Sequence, residues 1–339
     1  MKFDLGILAS QSLPVIVRQV RLAESLGFDT AWITDTHLVC RELWVTLAAC
    51  ATQTTRIRLG PGITVPHTRH VSVTASAIAT LHEIAEGRVV LGVGTGGSAA
   101  ETMGLAVAKM ARVATLEAMA TSLRRLLARE PIRLESGAEA RLAWLERSPA
   151  IPLYLAGSGP RMLEAAGRLG DGAIMYSGVA PWLVEAALAC VASGARTRGR
   201  SPGSGPGDLD VAIWAPTSIA PDRTVARDHV RGRVASALRH AFPVRWSPED
   251  QAVIDQVRAA YDSYQHASAA SRHRLLVTDR FVDLMALAGS PAEVREQVQA
   301  IMGVPGVGRI ILLPQVPGRD FVEREQVLRL FADEVMGRV

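Results

Sequence analysis

The sequence predicts an α/β chain closed into a TIM (β/α)8 barrel with insertions. Eight short apolar runs recur along 339 residues, each followed by a longer stretch with helical periodicity. The runs lack polar alternation, as strands covered on both faces require. A regular count of eight, with strand-plus-helix units at both ends, suits a closed barrel better than an open doubly wound sheet.

The predicted strands are 3–8, 30–34, 58–63, 89–94, 153–156, 172–175, 209–215 and 309–313. In the first helix, Ile16, Val20, Ala23 and Leu26 form the apolar stripe, while Arg18, Arg21 and Glu24 lie off it. Gly27 follows, where a helix end tolerates positive φ. Further helices are predicted over 46–53, 72–84, 111–128, 161–169, 181–195, 225–240, 291–301 and 321–335. Pro181 and Pro291 fall in first turns, where the missing N–H costs nothing. Three stretches exceed the repeat: 131–152, the Arg/Gly/Ser/Pro-rich surface loop 196–208, and a helical insertion at 247–287. The economical reading is one barrel domain over residues 1–339.

Composition narrows the function. Apolar residues at 48% and charged residues at 21% exclude global disorder. Aromatics at 5% and scattered arginines argue against nucleic acid, and the net charge of +4 suits an anionic small ligand. Cys40, Cys50 and Cys190 are too few and too irregular for a disulfide framework or zinc site, and read as reduced thiols of a cytoplasmic protein. No run of 18 apolar residues predicts a membrane span, and Asp4 interrupts what a signal peptide would need.

In such a barrel, chemistry sits after the strands. The second strand runs into Asp35-Thr36-His37, an acid and an imidazole suited to orienting a ligand or moving protons; a capping Asp and a surface His are the plainer alternative. The third leads to Gly60-Pro61-Gly62-Ile63-Thr64, then His67 and His70, whose spacing lacks the third ligand a metal needs. The fourth leads to Gly94-Thr95-Gly96-Gly97-Ser98, and the fifth to Gly157-Ser158-Gly159-Pro160. Exposed N–H groups on two successive glycyl turns describe a phosphate pocket, though neither turn is a Walker loop or dinucleotide fingerprint.

These segments, with Thr74–Leu81, Gly87–Gly94, Gly170–Ala173 and Ala288–Val294, resemble the bacterial-luciferase-like flavin-dependent oxidoreductases. The resemblance is strongest to the branch of methylene-tetrahydromethanopterin reductase and other coenzyme F420-dependent enzymes. It implies a flavin or deazaflavin at the carboxyl ends of the strands, and a non-prolyl cis peptide at Gly62-Ile63 backing its ring. Asp35, Thr36 and Thr64 would lie near the ring, Thr95, Gly96 and Gly97 along the cleft, and Gly157, Ser158 and Gly159 on the phosphate. Tyr176, after the sixth strand, would face the ligand. The expected activity is hydride transfer between F420 and a small organic substrate, with His37 moving the proton and Asp35 orienting. An FMN-dependent monooxygenase and a non-catalytic flavin-binding barrel are the alternatives, and a homodimer is usual in the family. Leu8 and Gly97 stand where the branch carries acids, and Thr36 separates Asp35 from His37, so no particular substrate follows. The expected lid is the loop after the third strand plus the 247–287 insertion. The six tryptophans are expected in packing, and His229, His240, His266 and His273 in solvent. Arg112 would meet an anionic tail or begin a charged helix face.

Overall fold

A computed structural model describes residues 1–105, 111–203, 205, 207–265, 271–316 and 321–339; His266 lies outside them. The elements in chain order are β1 (Lys2–Ile7), α1 (Leu13–Ser25), β2 (Thr30–Ile33), α2 (Leu43–Ala51), β3 (Arg58–Pro61), α3 (Val71–Ile84), β4 (Leu91–Val93), α4 (Gly97–Thr102) and α5 (Ala111–Leu127). They continue with β5 (Ile132–Arg133), β6 (Glu139–Ala140), β7 (Leu153–Gly157), α6 (Pro160–Leu169), β8 (Gly172–Met175), α7 (Pro181–Arg196), β9 (Asp210–Ile219), α8 (Arg223–Leu238) and α9 (Pro248–Ala260). The last are α10 (Asp279–Met285), β10 (Leu287–Gly289), α11 (Pro291–Met302), β11 (Arg309–Pro314) and α12 (Phe321–Glu334).

The eight predicted runs are the eight barrel strands, hydrogen-bonded in the order β3-β2-β1-β11-β9-β8-β7-β4, every described pair parallel. The two ends meet at isolated bridges, Leu59 to Val89 and Thr64 to Val93, which close the cylinder. Glycine permits that seam. A Cβ on Gly60 would stand 2.2 Å from the Val90 carbonyl oxygen, and one on Gly92 2.2 Å from that of Pro61.

Side chains sort by strand alternation. Trp32, Tyr154, Ile174, Ala212, Trp214, Ile311 and Leu313 pack together as one apolar cluster, which reads as the barrel interior. Their chain neighbours Ala31, Ile33, Leu155, Ala173, Val211, Ile213, Ile310 and Leu312 join the larger core with the helices. A third cluster joins Leu183 of α7 and Val230, Val234 and Leu238 of α8 to Ile254, Val257, Phe281 and Val282 of the 247–287 insertion. The insertion thus braces α8 from behind.

The element list adds two things the sequence pattern did not show. A short hairpin, β5–β6, occupies part of 131–152. Strand β9 runs on to Ile219, where β10 pairs with it. Residues 200–203 and 207–209 are tied back by Arg200, which donates to the Gly170 and Gly207 carbonyls.

At the amino ends of the strands a single guanidinium gathers three carboxylates. Arg309 of β11, 2% exposed, lies 2.9 Å from Asp4 of β1, 2.8 Å from Asp29 before β2, and 2.9 Å from Asp210 of β9. Trp32 donates its indole N–H to Asp4 at 2.9 Å, and the Tyr154 hydroxyl donates to Asp210 at 2.7 Å. Burial raises Asp4 to about 6, against the pull of Arg309 and Trp32. At Asp29 burial is outweighed by Arg309 and Lys2, and the group falls to about 2. Removing one partner from a buried ionic network leaves the others desolvated and unpaired. Arg309→Met is therefore expected to lower unfolding free energy by about 3–5 kcal/mol. Urea denaturation measures it; a loss under about 1 kcal/mol would show that the network does not hold the barrel end.

Candidate functional site

The carboxyl ends of the strands frame a cleft open to solvent, with a cavity volume of about 180 Å³. Its apolar wall is Leu8, Ile63, Val65, Ala156, Ile174, Trp214 and Leu313. Polar groups enter from Thr34, Asp35, Thr36, Ser98, Tyr176, Arg233, Ser236 and His240.

Asp35 is buried and held on one side only. Its Oδ2 accepts from the Thr64 hydroxyl at 2.9 Å and from Arg69 at 2.6 Å, and Arg69 reaches on to Glu42 at 2.6 Å. Glu42 also caps α2 by accepting from the Val45 N–H. The other oxygen, Oδ1, is buried without a hydrogen-bond partner. A fixed, desolvated acceptor in a cleft wall fits an N–H or O–H of a bound ligand. Asp35 is not a helix cap. His70, not a metal ligand in appearance, caps α3 by accepting from Ser72.

The peptide Gly62–Ile63 is cis, as the resemblance implied, and both residues line the cleft. A Cβ on Gly62 would lie 2.6 Å from Trp32 Cβ and 2.9 Å from the Trp214 ring. The backbone is therefore clamped between the base of the Trp32 side chain and the Trp214 indole. Trp214 lines the cleft, while Trp32 is wholly buried beneath it.

The two glycyl turns share one neighbour. The segment after α8 brings His240 Cε1 to 3.8 Å from where a Gly97 Cβ would stand, and Ala241 Cβ to 3.1 Å from that of Gly159. Both turns thus lie at one end of the barrel. Ser177 ties the second by donating to the Ser158 carbonyl at 3.2 Å.

Of the residues named from sequence, Asp35, Thr36, Gly62, Ile63, Gly96, Gly97 and Tyr176 line the cleft. Thr64 sits behind the wall and holds Asp35. Thr95, Gly157, Ser158 and Gly159 lie beside the lining rather than in it, partly buried at the mouth. His37, expected in the site, is exposed and does not line the cleft. The Thr36 carbonyl accepts from the N–H groups of Val39 and Cys40 at 2.8 Å, and this tight turn carries residues 37 and 38 outward.

His240, expected in solvent, departs in the opposite direction. It faces the cleft, with its ring 5.6 Å from that of Tyr176 in edge-to-face contact. Burial, with Arg239 next, lowers it to about 4, so the imidazole is neutral at neutral pH. Burial also pushes the Tyr176 hydroxyl up to about 12. His273 is buried and stacks on Tyr261 at 4.4 Å, and His229 meets the Ser218 hydroxyl at 3.1 Å. Glu101, the acid nearest in sequence to Gly97, is taken up by Arg239 at 2.6 Å and by the Ser263 hydroxyl. Arg112 does not line the cleft, although its charge helps keep His240 neutral. The loop after β3 contributes Val65 to the wall, whereas the 247–287 insertion contributes no described residue. Arg233, Ser236, His240 and Trp214 escaped sequence reasoning. The one signal was the helical spacing of 233, 236 and 240 after a barrel strand.

The chain belongs to the luciferase-like monooxygenase family, whose model matches residues 1–306. The 5,10-methylenetetrahydromethanopterin reductase of Methanolobus tindarius is 30% identical over 99% of this chain and 100% of its own. The F420-dependent glucose-6-phosphate dehydrogenase of Beutenbergia cavernae is 30% identical over 94% of this chain and 91% of its own. The solved structure of coenzyme F420 dependent tetrahydromethanopterin reductase from Methanopyrus kandleri matches with a TM-score of 0.80 at 25% identity, covering 99% of this chain and 98% of that one.

Two outcomes are expected from this geometry. Gly62→Ala drives a methyl group into Trp32 Cβ and the Trp214 ring and destabilises by about 1–3 kcal/mol, the usual cost of overpacking. Gly97→Ala meets only an ordinary contact and changes stability by less than about 0.5 kcal/mol. Thermal melts of the two variants read the contrast; equal effects would mean that the wall yields freely. The second concerns pH. Unfolded, His240 titrates near 6.5, and folded near 4. Between these values the unfolded chain binds a proton that the folded chain refuses. The His240 contribution is therefore complete above about pH 6.5 and lost as pH falls through about 4. Urea midpoints across this window should slope less in His240→Gln than in the parent; parallel slopes would contradict a neutral His240.

Proposed function

We propose that this protein transfers a hydride between coenzyme F420 and a small organic substrate bound together in the cleft. The observation that carries the reading is the buried, unpartnered Asp35 Oδ1 set in an apolar wall built on the cis Gly62–Ile63 peptide. A flat ring with a polar edge fits such a wall, and the glycyl turns at the mouth suit its anionic tail. The names of the Beutenbergia cavernae dehydrogenase and of the solved Methanopyrus kandleri reductase, both F420-dependent, support the cofactor.

When bound, F420 supplies the two-electron hydride centre, and this chain supplies placement, dryness and proton handling. Asp35, braced by Thr64 and Arg69, would hold the cofactor by accepting a hydrogen bond at its unpartnered Oδ1. Leu8, Ile63, Ile174 and Trp214 exclude water from its faces. His240, neutral and beside the glycine that replaces the family acid, takes the proton role first expected of His37. Its Tyr176 neighbour stays protonated and steadies the His240 imidazole by edge-to-face contact.

Adding F420 to the apoprotein is expected to quench the deazaflavin fluorescence saturably, and Asp35→Asn to weaken that binding. Quenching of FMN with no response to F420 would move the protein to the monooxygenase reading. Binding of neither by a folded chain would favour a non-catalytic barrel. With a substrate found by following deazaflavin absorbance across alcohols, aldehydes and imines, His240→Ala should lower kcat by about 100-fold or more. His37→Ala should leave it unchanged; the reverse ranking would return the proton role to His37.

A further inference from the structure

Helix α8 lays one face along the cleft, carrying Arg233 and Ser236, with His240 just beyond its end. At 1.5 Å per residue, Arg233 lies about 10 Å from His240 along the axis. His240 marks the end of the cleft beside the glycyl turns. Arg233 enters the same cleft two turns earlier along α8, and the Tyr176 hydroxyl, whose ring meets His240, donates to the Arg233 carbonyl at 3.3 Å.

Arg233 is only 8% exposed, and its Nε and Nη2 are buried with no hydrogen-bond partner. The other two arginines buried to this degree are matched by acids, Arg227 by Asp283 and Arg309 by Asp4, Asp29 and Asp210. No carboxylate pairs with Arg233 among the described residues. Asp35 gives its Oδ2 to Arg69 and Thr64, and Glu101 is engaged by Arg239. A second cation, Arg324, lines the adjoining hollow that shares Leu8 with the cleft, and its Nε is also unpartnered. The charge of Arg233 reaches Arg324, and with no acid paired to Arg233 a bound anion would relieve the unfavourable burial of its guanidinium.

We propose that Arg233 anchors the substrate, and that the substrate class is an organic molecule bearing a carboxylate or phosphate. This rests on the hydride-transfer reading and adds the substrate's charge to it. A planar guanidinium fork grips either anion through two parallel hydrogen bonds and so fixes the angle of the molecule attached to it. Docked on Arg233, the anionic group leaves the rest of the substrate against the apolar wall of the same cleft that His240 lines.

The probe is inorganic phosphate, titrated calorimetrically into protein saturated with F420, with acetate in a second arm to separate phosphate from carboxylate. F420 quenching and thermal melting are run on the same variants. The parent is expected to bind one of the two anions saturably. Arg233→Gln should bind it at least tenfold more weakly, and Arg233→Lys should fall between, with F420 quenching unchanged in both. Unaltered anion affinity in Arg233→Gln, or no saturable anion binding by the parent, overturns the proposal. So does loss of F420 quenching together with the anion, which would give Arg233 to the cofactor. If Arg233→Gln fails to fold, Arg233→Lys decides by the same affinities. A parent that never quenches F420 sinks the cofactor reading alone, and the anion titration of the apoprotein then judges Arg233.

Discussion

The barrel depends on a charge network at its closed end. Arg309 sits almost out of reach of water, and three carboxylates from different parts of the chain converge on it. Each bond joins β11 to another part of the barrel wall: β1, the lead into β2, or β9. A buried cation requires its counter-charges. Displacing any of these strands would strand a charge in the core, so the strands keep their register. Tyr154 and Trp32 extend the network inward and also form the floor on which the apolar interior rests.

With one end closed by charge, the other end is free to be shaped by small residues. Glycines at the β3–β4 seam let two strands approach without side chains between them, and Gly62 lets the chain lie between Trp32 and Trp214. What results is a shallow apolar floor with polar atoms only at its edges. The polar atoms come from afar. Asp35 follows β2, its bracing Thr64 and Arg69 follow β3, and the opposite wall comes from α8. The apolar cluster behind α8, in which Phe242, Trp246 and Phe281 pack edge to face, gives that helix a firm backing.

The eight strands were legible because burial on both faces demands unbroken apolar runs, and few other structures write that pattern. The helix starts were legible where chemistry marks them, as at Pro181 and Pro291, which stand at the first residues of α7 and α11. Asp35 and the Gly62–Ile63 wall could be picked out because they sit directly after strands, where a barrel presents its site. His37 misled for the same reason: adjacency in sequence suggested adjacency in space, but the turn closed on the Thr36 carbonyl points it away. His240 and Arg233 were illegible because they lie on a helix and its end. There a charged residue ordinarily faces water, and only the placement of α8 over the cleft says otherwise.

The sequence by itself determined the alternation of strands and helices, the closed barrel and the location of the glycyl turns. These follow from local patterns of apolarity and backbone freedom that each segment carries within itself. Tertiary structure alone decided that Arg69 would brace Asp35, that a lone guanidinium would face the cleft from α8, and that His240 rather than His37 would be its imidazole. Those outcomes depend on desolvation and on distances between segments far apart in the chain, which have no value until the chain has folded.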